Sequence, residues 1–117
     1  MEEWLRWTYA NGEVVREVFS RPRGRELMVV RGEWGGREGV RVVVESGRWN
    51  DEGGLERAAR ELINEAAASL AGAEPVLLLA RLTRVALSLF PPGEVGFEWG
   101  VESRGGSRRV ELVVKRL

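Results

Sequence analysis

Tryptophan and arginine are the residues of this chain whose side chains could do specific chemistry, and that chemistry is recognition. The sequence holds five Trp and 17 Arg, against no His, no Cys, one Lys (Lys115), one Tyr (Tyr9) and one Asp (Asp51). Aromatic rings stack on bases and other flat groups, and guanidinium groups grip phosphate or carboxylate in a two-pronged fork. Trp4, Phe19, Trp34 and Trp49 fall outside the apolar faces that the sequence pattern assigns to a core. Arg6 lies near Trp4, while Arg21, Arg23 and Arg25 follow Phe19. Arg31, Arg37 and Arg41 flank Trp34, and Arg104, Arg108 and Arg109 surround Gly105-Gly106. This set reads as a surface for nucleic acid, preferably single-stranded, or for another protein. The competing reading is that the rings are capped from within or by a subunit, and that the 18 basic groups pair with the 18 acidic ones.

Catalysis finds little to work with. Without His or Cys there is no Ser/His or Cys/His pair and no imidazole or thiolate ligand for a transition metal. Acid–base work would fall to Glu, and neighbours such as Glu2/Glu3 and Asp51/Glu52 read as solvated charge. The run Gly32 to Gly39 lacks the following helix that a phosphate-cradling loop needs, because a strand follows it. The expectation is a protein that is not an enzyme and uses no cofactor or metal.

Composition bounds the rest. A chain of 117 residues reads as a single domain, residues 1–117. Net charge is zero, so any attraction for a polyanion must come from a local patch. The longest apolar stretch, Val76 to Phe90, is too short to cross a bilayer and holds Arg81 and Arg84. Met1-Glu2-Glu3-Trp4 has no apolar signal-like run. The chain therefore reads as cytoplasmic. Many Glu and Arg with no Gln suit a thermophile, although Arg in place of Lys follows equally from a GC-rich genome.

The elements that must position these groups are legible as three hairpins and a helix pair. Asn11-Gly12 is a hairpin turn signal. Pairing about it puts Trp7 opposite Arg16 and Leu5 opposite Val18 on the core face, with Arg6 opposite Glu17 and Trp4 opposite Phe19 on the other. A second hairpin spans residues 26–46, with its turn within Gly35 to Glu38 and a polar, Gly-rich distal part that can project. A two-residue Gly35-Gly36 loop would set Glu33 against Glu38, which is unfavourable. The third hairpin turns at Gly105-Gly106 and aligns Phe97, Trp99 and Val101 with Val114, Leu112 and Val110 on an inward face. Apolar residues at three- and four-residue spacing predict a helix over about residues 54–70, capped by Asn50 or Asp51 and ended by Gly72. Pro75 opens a second helix, which stops before Pro91-Pro92. The order ββββ-αα-ββ predicts an α+β fold, an antiparallel sheet of three hairpins with two helices on one face.

Eleven of the fifteen residues from Val76 to Phe90 are apolar, more than a helix with one buried face requires. Either the sheet and first helix enclose it, or a second subunit covers it through Leu78, Leu82, Val85 and Leu89. The latter predicts a homo-oligomer. The function this supports is a non-catalytic oligomeric protein that binds nucleic acid. Its alternative is a subunit or assembly factor that meets another protein.

Overall fold

Asn11 and Gly12 adopt φ of 53° and 79°, the positive values that a two-residue type I′ turn demands. In the computed structural model, which describes residues 1–35, 39–48, 52–69, 74–91 and 93–117, this turn joins β1 (Glu2–Ala10) to β2 (Glu13–Arg21). The register sets Trp4 against Phe19, Arg6 against Glu17 and Trp7 against Arg16, as the sequence predicts. Gly105 and Gly106, at φ 56° and 85°, likewise join β5 (Val95–Arg104) to β6 (Ser107–Arg116). There Phe97, Trp99 and Val101 face Val114, Leu112 and Val110. Between them lie β3 (Glu26–Gly35) and β4 (Arg41–Gly47). Glu33 pairs with Arg41, so a longer connection replaces the two-residue loop and the like-charge pair is avoided.

Two non-local pairings, β1 with β4 and β3 with β6, join the hairpins into one antiparallel six-stranded sheet of order β2-β1-β4-β3-β6-β5. The distal end of β3 does not project: Trp34 and Gly35 pair with Arg108 and Ser107 of β6. The helices α1 (Glu52–Ser69) and α2 (Pro75–Leu89) cover one face. Leu55, Leu62 and Ile63 of α1 and Leu78 and Leu82 of α2 meet Trp7, Val30, Val44 and Leu112 in one core cluster. The fold is thus α+β. The expected caps Asn50 and Asp51 and the stop at Gly72 lie outside the described residues.

Coverage decides which apolar residues are buried. Outer strands of a six-stranded sheet stand about 24 Å apart, whereas two helices side by side span about 20 Å. The strands at the two edges are therefore left partly bare. Val18 on β2 is 53% exposed, and Trp99 and Val101 on β5 are 62% and 50% exposed. All three lie on faces that alternation alone assigns to the core.

Among the described residues, no helix covers the opposite face, which is closed by charge. Glu45 of β4 is buried there, its carboxylate held between two guanidinium groups. Arg6 reaches Oε2 through Nε at 2.9 Å and Nη2 at 2.8 Å, and Arg31 reaches Oε1 at 2.5 Å. Glu17 lies 3.6 Å beyond Arg6, and Glu111 lies 4.0 Å beyond Arg31. Charges of alternating sign thus cross five neighbouring strands, from β2 to β6, and their alkyl stems shield the apolar residues beneath.

Candidate functional site

Gly35 builds the site by letting two backbones touch. Its φ is +85°, and a Cβ placed there would stand 2.5 Å from the carbonyl oxygen of Gly106. Only glycine tolerates both conditions. The end of β3 therefore lies directly on the β5–β6 turn, and a cleft of about 590 Å³ opens at this end of the sheet. Its described lining includes Trp34, Arg41, Arg104, Arg108 and Arg109, with Glu33 and Glu102.

Trp34 is half-buried, its ring resting on the rim of the core. It stands across from Arg108 in the strand register, so ring and guanidinium share one face. Arg109 is engaged, with Glu33 at 3.8 Å and Glu111 at 3.6 Å. Among the described residues, Arg41, Arg104 and Arg108 make no ion pair. Four guanidinium groups and two carboxylates thus line the cleft with one indole. Alternation puts Arg108 on the face of Trp34, and Arg41, Arg104 and Arg109 with Glu33 and Glu102 on the other face at the same end of the sheet. Although the chain is neutral as a whole, this end of the sheet is locally cationic. Such an arrangement can hold an anion and stack a flat group next to it.

The other expected site residues divide into three groups. Trp4 is 1% exposed and cannot stack on a ligand, which corrects the expectation of a bare ring. Its indole lies across Gly47 of β4, where a Cβ would come within 3.4 Å of Nε1. Phe19 caps it edge-on at 6.3 Å, and Arg21 lies over it at 4.2 Å. Arg6 sits 4.1 Å above the Phe19 ring while gripping Glu45. Thus Trp4, Arg6, Phe19 and Arg21 satisfy one another, as the competing reading allowed, and Arg31 is likewise held by Glu45. Arg23 and Arg25 are exposed, yet they follow β2 at the opposite end of the sheet. A strand of ten residues separates them from Trp34 by about 30 Å. Arg37 and Trp49 lie outside the described residues. Of the expected set, the cleft brings together Trp34, Arg41 and the three arginines of the third turn, Arg104, Arg108 and Arg109.

The expected oligomer surface on α2 is also corrected. Leu78 and Leu82 are fully buried within the chain, and Val85 and Leu89 pack against the same core. The sheet and α1 enclose the helix between them, so these four residues offer little surface to a second subunit. The bare apolar residues of α2 are Val76, Leu77 and Leu87, at 64%, 56% and 46% exposure.

Glu45 and Trp99 were not identified as special from sequence. A Glu closing the run Val42-Val43-Val44 was the available sign for the first, since a charge on a central strand needs partners. Trp99 alternates perfectly with its neighbours, and only its place at the sheet edge exposes it. Among the described residues, no group of three carboxylates converges to hold a metal ion, and no helix is long and apolar enough to cross a membrane. Comparison with protein-family models, with curated proteins and with solved structures finds no match.

Proposed function

We propose that this chain is a non-catalytic binding protein that holds single-stranded nucleic acid at the Trp34 cleft. One observation carries the reading: a half-buried indole and Arg108 on one face of the sheet share a cleft with Arg41 and Arg104 on the other, and none of these three arginines makes an ion pair among the described residues. An unpaired base stacks on the indole and its flanking phosphates meet the guanidinium groups, which is how strand-binding proteins work without reading sequence. Duplex is disfavoured, because its bases are stacked on each other and leave no face for Trp34. The absence of His and Cys from the sequence supports binding without catalysis.

Titration with a single-stranded oligonucleotide in low salt is expected to quench tryptophan fluorescence. Trp34→Ala should weaken binding by about tenfold or more, the loss of one stacked base, while keeping a cooperative melt. Quenching that persists unchanged in Trp34→Ala would remove the cleft from the interface. A second reading, a subunit or assembly factor that meets another protein, is favoured by the bare first turn of α2, where Val76 and Leu77 are 64% and 56% exposed. It gains ground if the chain ignores both DNA and RNA.

A further inference from the structure

The two edges of the sheet differ in how they are guarded. On its helix-side face, β2 interrupts Val14 and Val18 with the exposed Arg16. An inward-pointing charge of this kind blocks pairing with another strand. The corresponding face of β5 carries Phe97, Trp99 and Val101 with no charge between them. Trp99 donates its Nε1–H to Thr83 Oγ1 at 3.0 Å. Its one polar atom is thereby satisfied, and the rest of the indole is left as fixed apolar surface at 62% exposure. Leu87 on α2 adds to the bare area.

The backbone of β5 is open to a partner in a defined phase. The tight turn at Gly105-Gly106 makes Arg104 and Ser107 a hydrogen-bonded pair, so every second residue back from Arg104 bonds to β6. The residues between them, Phe97, Trp99 and Val101 among them, direct N–H and C=O away from the sheet.

We propose that β5 pairs antiparallel with β5 of a second copy of this chain, about a two-fold axis at Trp99, to form a continuous twelve-stranded sheet. Charge and ring contact together select this register. An axis at Gly100 sets Glu98 against Glu102, and an axis at Glu98 sets that carboxylate against itself. An axis at Trp99 sets Glu98 against Gly100 of the partner subunit and Glu102 against Gly96 of the partner subunit. On the other face it stacks Trp99 on its own copy and Phe97 on Val101 of the partner subunit. An axis at Val101 avoids like charges and sets Glu98 against Arg104 of the partner subunit, but it opposes Trp99 with Ser103 and Phe97 with Gly105, leaving both rings without an apolar partner. With the axis at Trp99, Arg104 comes opposite Glu94 of the partner subunit, one residue before the start of that subunit's β5. The two clefts then lie on one sheet, and this inference does not depend on what they bind.

The test is molar mass by light scattering on the full chain over a concentration series, with circular dichroism on each variant. The wild type should pass from monomer to dimer. Trp99→Lys should stay monomeric with an unchanged fold. A Cβ at Gly100 meets only Glu111 Cβ, at 3.9 Å, so side chains fit there. Gly100→Lys, opposite Glu98, should tighten the dimer by about threefold to tenfold, and Gly100→Glu should weaken it by a similar factor. A wild type that stays monomeric overturns the proposal. So does a dimer that Trp99→Lys leaves intact, or one on which the two Gly100 variants act in the same direction. Dissociation by Val18→Lys alone would place the contact on β2 and would also overturn it.

Discussion

Glu45→Ala should lower the free energy of unfolding by about 3 kcal/mol, the lower part of the range for removing one partner of a buried ion pair. The Glu45 side chain is 5% exposed, and those of Arg6 and Arg31 are 30% and 27% exposed. Truncation leaves two partly buried guanidinium groups of like charge facing each other across β4. Glu17 and Glu111, at 3.6 and 4.0 Å, and the remaining solvent contact recover part of the loss, hence the lower figure. Urea denaturation monitored by circular dichroism measures it as a fall in midpoint at constant slope. Replacing all three residues by apolar ones of similar volume should cost far less, because no charge is then stranded. A loss below about 1 kcal/mol for Glu45→Ala would show the network to be a solvated surface pair.

Trp7→Ala should cost about 3–5 kcal/mol. Trp7 is 1% exposed and lies in the core beneath α1. Its Nε1–H donates to Glu56 Oε2 at 2.5 Å, and Glu56 also accepts from Arg60 Nε at 3.1 Å. The ring therefore fills the space between sheet and helix and fixes their relative position. Its removal leaves a cavity that rigid strands and an 18-residue helix cannot close. Trp7→Phe keeps most of the volume and loses the hydrogen bond, so about 1–2 kcal/mol is expected. Thermal melting of the two variants checks the order, and equal losses would mean that the hydrogen bond, not the packing, holds the helix.

Local signals in the sequence translate directly into structure. Asn11-Gly12 and Gly105-Gly106 set two hairpin registers residue by residue, since turn geometry and the pairing of opposite charges act over a few positions. Pro75 and the apolar spacing place both helices to within two residues of their observed ends. Strand order was not legible, because it rests on β1 with β4 and β3 with β6, pairings between distant segments. Site assignments failed for the same reason. Trp4 is closed by Gly47, 43 positions away, and by Phe19 and Arg21, so its burial depends on which strand lies alongside. Trp99 looks like core until the edge of the sheet is known. The Trp34 cleft appears only when Gly35 meets Gly106, although both its ring and its arginines stand out in the chain.

The central claim is that the Trp34 end of the sheet binds single-stranded nucleic acid. Fluorescence anisotropy of a labelled single-stranded oligonucleotide, measured across a salt series for the wild type and Arg108→Ala, tests it most directly. Binding should fall with rising salt at a log–log slope of about −2, three phosphate contacts at about −0.7 each, and Arg108→Ala should flatten it by about one contact. No binding at low salt, or a slope that Arg108→Ala leaves unchanged, would contradict it.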